Sequence, residues 1–171
     1  MKSINRKTGI NMAKVKKTNV IRKLDQQKIP YTEMTLAEDF QPQSSEDIAN
    51  ILGINPDQQF KTLVTHGKSK NHYVFLVPVN HELDLKLAAA AVKEKNIHMI
   101  PQKDLEPLTG YVHGGCSPIG MKKAFPTVID ASAKNFDTII FSAGKRGFLV
   151  EVPVNELDKV IASLNFADIL A

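Results

Sequence analysis

Tryptophan is absent from this 171-residue chain, and cysteine occurs once, at Cys116. A single thiol excludes an internal disulfide framework and any cysteine-rich zinc site, and it suits a reducing cytoplasm. No apolar run approaches the ~18 residues of a membrane-spanning helix. The basic N-terminus has no apolar segment behind it, so no secretory signal is expected. The five histidines, His66, His72, His81, His98 and His113, form no His-Glu-x-x-His motif and no tight cluster with acids, so no metal is expected. The glycine spacing and lysine of a phosphate-binding P-loop are missing, as is the Gly-x-Ser-x-Gly elbow of a serine hydrolase.

What is present is ordinary globular material: 43% hydrophobic and 23% charged residues, enough to bury a core without a covalent staple. The charge is unevenly placed. Residues 1–28 hold nine Lys or Arg against one acid, Asp25, whereas the remainder holds thirteen basic and seventeen acidic residues. A basic arm on a mildly acidic body can steer a polyanion such as RNA, and it can equally be a solvated terminus. Residues 1–12 show no periodicity and are set aside as an optional or disordered extension. Residues 13–171 are expected to form one domain.

The pattern predicts a helix over Ala13–Gln27 ended by Pro30, a strand over Tyr31–Leu36 and a loop over Glu38–Ser45. A helix carrying Ile48, Ile51 and Leu52 follows, capped by Ser44 or Ser45 and closed at Gly53. Phe60–His66 and Tyr73–Val79 read as strands of a hairpin. The near-continuous apolarity of the second marks a central strand buried on both faces. Asp84 caps a helix over Leu85–Lys95. A strand over Ile97–Ile100, a short helix over Gln102–Leu108 and a glycine-rich loop over Tyr111–Gly120 come next. Thr127–Asp130, Thr138–Ser142 and Phe148–Val152 read as strands, and Asn155–Leu164 as a last amphipathic helix. Strands joined by tight turns argue against a regular parallel sheet. The fold class is therefore α+β, with a mixed, mostly antiparallel sheet, partly barrel-like, flanked by helices.

Three segments can carry chemistry. Lys61 opens an apolar strand; it either reaches a cleft at the sheet end, where its ammonium could hold a carboxylate or a polarised carbonyl, or guards a sheet edge. Gly114-Gly115-Cys116-Ser117-Pro118-Ile119-Gly120 is a tightly bent loop whose amides could meet an oxyanion, or a turn and nothing more. Ser142-Ala143-Gly144-Lys145-Arg146-Gly147 joins two strands, as a hairpin with solvated charges or as a loop offering Ser142 and two cations to a phosphate. A lone cysteine such as Cys116 is ordinarily a small packed apolar residue.

Taken in order, Lys-Ile-Pro-Tyr at 28–31, Phe-Lys-Thr-Leu at 60–63, Thr-Gly-Tyr-Val at 109–112, the Gly-Gly loop at 114–120, Phe-Asp-Thr-Ile at 136–139 and the Ser142 loop resemble the YbaK/EbsC family of aminoacyl-tRNA editing proteins. The resemblance runs from about Ala13 to the C-terminus. It departs at Cys116, where the family has an aliphatic residue, and at Ala143, where it has glycine. The first departure argues against a required cysteine nucleophile. The resemblance implies the fold of the prolyl-tRNA synthetase editing domain and a cytoplasmic deacylase that clears cysteine from Cys-tRNA(Pro), and from Cys-tRNA(Cys). It implies tRNA and prolyl-tRNA synthetase as partners and no cofactor. It places Lys61, Gly114 and Ser142 in the substrate pocket. We further expect Thr62 to line the pocket and the backbone amides around Gly114 and Gly115 to position the carbonyl. In this family the substrate's own thiol is thought to attack its ester, which would leave no task for a protein nucleophile. The alternatives are an Ala-tRNA(Pro) deacylase using water and a noncatalytic RNA- or nucleotide-binding module.

Overall fold

A computed structural model of the chain describes residues 4–7, 17–36 and 45–171. Its strands form two sheets. The first is wholly antiparallel: β1 (Ile4–Lys7), β2 (Thr32–Leu36), β8 (Phe148–Pro153) and β7 (Thr138–Lys145), in that order. The second is mixed, with order β5 (Ile97–Met99), β3 (Phe60–Gly67), β4 (His72–Pro78), β6 (Thr127–Asp130) and β9 (Leu164–Ala167). β3 is antiparallel to β4 and β5, while β6 runs parallel to both β4 and β9. No strand is expected in residues 1–12, yet Ile4–Lys7 pairs with β2.

Side-chain alternation makes three apolar layers from these two sheets. Phe60, Val64, Val74, Leu76 and Ile129 of the mixed sheet meet Ile139, Phe141, Val150 and Val152 of the antiparallel sheet in the main core. The other face of the antiparallel sheet, with Met34, Ile140 and Leu149, is covered by α2 (Ser45–Leu52) through Ile48, Ala49 and Leu52. The other face of the mixed sheet, with Tyr73, Phe75 and Val77, is covered by α3 (Leu85–Ala91) through Ala88 and Ala89. β4 is buried on both faces, as its apolar run predicts.

Local chemistry sets the element ends. α1 (Asn19–Gln26) starts where Thr18 Oγ1 accepts the Ile21 amide proton at 3.2 Å, and it buries Val20, Ile21 and Leu24 in the main core. Residues 13–16 of the expected helix, the Glu38–Ser44 part of the expected loop and the alternative cap Ser44 lie outside the described residues. Gly53 closes α2 at φ +68°, the left-handed position expected for it. The Asp84 carboxylate accepts the Lys86 and Leu87 amides, both at 2.9 Å, and so caps α3. A single-turn helix over Gln102–Asp104 leads into α4 (Leu105–Thr109), which ends on Gly110 at φ +88°.

The last expected helix is corrected. Val154–Lys159 forms a 3₁₀ turn, and the chain then reverses at Ser163 (φ +51°) to become β9. Leu157 and Ile161, four residues apart and both buried, imitate a helical stripe. Leu164–Ala167 instead pairs with the free edge of β6, whose backbone groups need partners.

Among the described residues the two sheets touch backbone to backbone at one point, a parallel bridge between Gln59 and Ile140. The Ile140 amide donates to the Gln58 carbonyl at 3.0 Å, and the Gln58 side-chain amide donates to the Thr138 carbonyl at 2.9 Å. β3 and β7 leave this bridge in the same direction and form no ladder beyond it. The barrel-like seam is pinned here and left open just beyond.

Candidate active site

A cavity of about 170 Å³ occupies that opening. Phe60, Lys61, Thr62 and Leu63 line one wall and Ser142 the opposite one; His113, Gly114 and Cys116 close it. Ile48, Leu105, Phe148 and Leu149 supply the apolar remainder. Three segments separated by tens of residues thus converge where β3 and β7 part. β5 covers β3 only at Thr65–Gly67, so the backbone edge of residues 60–63 opposite β4 carries no ladder.

Alternation puts the Thr62 side chain on the main-core face with Phe60 and Val64, and Lys61 on the other face with Leu63. The Thr62 hydroxyl is buried and meets no hydrogen-bond partner among the described residues. A buried hydroxyl without a partner is costly in a folded chain. The Lys61 ammonium pairs with Glu82 at 3.2 Å; the lysine side chain is 23% exposed and the glutamate 83%. Such a pair is weak and easily exchanged for another anion or carbonyl.

Ser142 Oγ accepts the Gly144 amide proton at 3.0 Å, which fixes the hydroxyl at the β7 bulge and leaves its own proton free to donate. The segment after it is a hairpin, as one of the two sequence readings has it. Lys145 lies over the Phe148 ring, while Arg146 packs beside Gly114. Gly114 has φ +86°, and a Cβ there would stand 3.1 Å from Arg146 Nε.

Gly115, expected to help position the carbonyl, is placed elsewhere. It is not among the cavity walls, and its amide donates to the Val112 carbonyl at 2.9 Å. A Cβ on it would stand 3.0 Å from the Arg146 amide nitrogen, so its role is to let two loop backbones touch. Tyr111 holds the same loop from within by donating to the Ile119 carbonyl.

Cys116 is 8% exposed, and burial pushes its thiol up to about 12 despite a hydrogen bond to Thr109 that pulls the other way. A thiol so far from ionisation is a poor nucleophile at neutral pH. His66 stands in register with His72 and with His98, a row across three strands that no local motif announces. Among the described residues no group of three or more His, Cys, Asp or Glu is arranged to hold a metal ion. Glu82 and Phe148 had no signal in the sequence; Arg146, one of the two cations of the Ser142 loop, is brought against Gly114 by the hairpin.

Residues 41–160 match the aminoacyl-tRNA editing domain. The chain belongs to the aminoacyl-tRNA editing domain family. Such a domain removes an amino acid from tRNA by cleaving its ester, so the chain is by class an aminoacyl-tRNA deacylase. Over 144 residues it is 48% identical to an Enterococcus faecalis protein, EbsC, provisionally named a Cys-tRNA(Pro)/Cys-tRNA(Cys) deacylase; the match covers 82% of this chain and 88% of that one. The solved structure of a protein provisionally described as a trans-editing enzyme for prolyl-tRNA synthetase superposes with TM-score 0.76 at 22% identity, covering 90% of this chain and 95% of that one. The hypothetical protein APE2540 superposes with TM-score 0.78 at 16% identity, covering 90% and 100%. These two likenesses establish the editing-domain fold. Among the described residues no helix is long and apolar enough to cross a membrane.

Proposed function

We propose that this editing domain removes cysteine from Cys-tRNA(Pro), with the substrate's own thiol as nucleophile. The observation that carries the reading is the convergence of Lys61, Thr62, Gly114 and Ser142 on one small cavity. At about 170 Å³ it is below the ~300–1,000 Å³ of sites that take whole drug-sized ligands, which suits an aminoacyl group and leaves the nucleotide outside. Its polar groups are the Lys61 ammonium, the Thr62 and Ser142 hydroxyls, the Gln59 and His113 side chains and a glycine backbone. That set can orient an ester and stabilise charge on its oxygen, and it contains no activated protein nucleophile, since the thiol of Cys116 is held protonated.

In the reaction the substrate sulfur bonds to its own carbonyl carbon and the carbon–oxygen ester bond breaks. The proton lost from the thiol ends on the ribose oxygen, leaving a cyclic thioester that water opens. The protein's task is proximity: a cavity that folds the cysteinyl group toward its ester converts binding into rate. Lys61 leaves Glu82 to hold the carbonyl oxygen or the aminoacyl end. The Thr62 hydroxyl takes the amino group or carbonyl, Ser142 donates to the ester or the terminal ribose, and the backbone at Gly114 approaches the carbonyl. A thiol-dependent step also rejects alanine, which an apolar pocket distinguishes from cysteine by only ~1–3 kcal/mol. A domain of this size reads little of a tRNA, and prolyl-tRNA synthetase supplies the remaining selectivity.

The deciding experiment compares amino-acid release from Cys-, Ser- and Ala-tRNA(Pro). The reading expects release of cysteine at least a hundredfold faster than of serine or alanine. Equal rates for cysteine and serine would defeat the substrate-thiol step, and preference for alanine would point to a water-using enzyme.

A further inference from the structure

The molecule carries a second concavity, on the far side of the glycine-rich loop, with a volume of about 370 Å³. α1 forms one bank with Asn19 and Lys23, the loop forms the floor with Gly120 and Lys123, and the stretch before β9 forms the other bank with Lys159. Among the described residues no Asp or Glu lines it. The three lysines are exposed and belong to three separate elements. Lys159 pairs with Glu156, which does not line the groove, at 2.8 Å; a pair at the surface yields readily to a stronger anion.

The groove is built into the fold. Asn19 Nδ2 donates to the Gly120 carbonyl at 3.1 Å, tying α1 to the loop. Gly120 sits at φ +76°, where a Cβ would stand 2.6 Å from that Asn19 nitrogen. Phe125 gives the groove an aromatic face, backed by the His72 ring at 5.5 Å. The groove is also close to the cavity: Cys116 lines one and Pro118 the other, and two residues span at most about 8 Å.

We infer that this groove is the seat of an RNA backbone, with Lys23, Lys123 and Lys159 neutralising phosphates of the strand whose 3′ end enters the cavity. Three cations on three elements without an intervening carboxylate fit a chain of phosphates rather than a single small anion, and an aromatic face accommodates a base of any sequence. The inference rests on the deacylase reading only for the identity of the polyanion.

The test needs no turnover. Anisotropy of a labelled, uncharged acceptor-stem RNA with a single-stranded 3′ end is followed from 50 to 200 mM salt. The unaltered chain is compared with Lys23→Ala/Lys123→Ala/Lys159→Ala and with a control of equal charge change, Lys68→Ala/Lys86→Ala/Lys95→Ala, all exposed lysines elsewhere. Each phosphate contact contributes ~0.7–0.9 to the slope of log K against log salt. Loss of three removes about 2 to 3, so the fall in affinity over this range shrinks about 20- to 40-fold in the groove variant and stays unchanged in the control. Lys23→Glu/Lys123→Glu serves in its place should the triple variant misfold, and is expected to weaken binding at least tenfold at 100 mM salt. Equal slopes for both triples, or no RNA binding by the unaltered chain, overturns the inference. RNA binding that depends on the groove lysines without release of cysteine from Cys-tRNA would instead overturn the deacylase reading and leave this one standing.

Discussion

Lys61 and Thr62 are neighbours whose side chains leave β3 on opposite faces, yet both border one cavity because it wraps the start of the strand. A single preorganised donor to a reacting oxygen contributes a factor of ~10²–10³. Lys61→Ala should therefore lower kcat/KM on Cys-tRNA by about that much, with Tm unchanged. Retention of more than a tenth of the activity would remove Lys61 from the reaction. Glu82 is the opposite case. Its pair with Lys61 is solvent-exposed, so Glu82→Gln should change kcat/KM by less than about fivefold. Cys116 supplies a pH test. Folding raises its thiol from 9.0 to about 12 through burial, so the folded state keeps a proton the unfolded chain releases. The stability this contributes is fully present below about pH 9 and is lost as pH rises toward 12. Denaturant midpoints should fall over that range in the unaltered chain and fall less in Cys116→Ala, whose activity at pH 7 should stay within about threefold.

The glycine-rich loop and the β7–β8 hairpin are positioned by one another. Gly115 lies against the Lys145–Arg146 backbone, Gly144 lies against Val20 and Tyr111, and Gly120 against Asn19. Gly115→Ala forces a methyl group 3.0 Å from the Arg146 nitrogen, with backbone rather than a flexible side chain in its path. Overpacking of this kind costs about 1–3 kcal/mol. The variant should lose that much in urea unfolding and should also lose kcat, since the loop carrying Gly114 moves with it. Full activity in a fully stable variant would show that the two loops are not packed in register. This coupling was not legible in the sequence. Both loops are turn-rich by composition, and glycine reports only that a backbone conformation or a close approach is wanted, not which segment approaches. The last expected helix failed for a related reason. Leu157 and Ile161 have helical spacing, and nothing local records that the edge of β6 stands open for Leu164–Ala167.

Across the molecule, two sheets share one core and meet along a seam that, among the described residues, is bridged at Gln59 and Ile140. Phe141 is fully buried in that core between the sheets, one residue before Ser142. Phe141→Ala should cost about 3–5 kcal/mol by denaturant titration, and its residual activity should track the folded fraction. Apart from β1, β9 and the last expected helix, strand and helix identity, the central burial of β4, the Asp84 and Gly53 caps and the family-bearing segments were readable along the chain. Each rests on contacts within a few residues or on the period of two that a pleated strand imposes. The union of Phe60–Leu63, Gly114 and Ser142 in one cavity, the idle hydroxyl of Thr62, the diversion of Gly115 to packing and the three-lysine groove required the assembled structure. They depend on where two sheets stop pairing, and backbone pairing between distant segments is decided by the packing of the whole core, which no local pattern encodes.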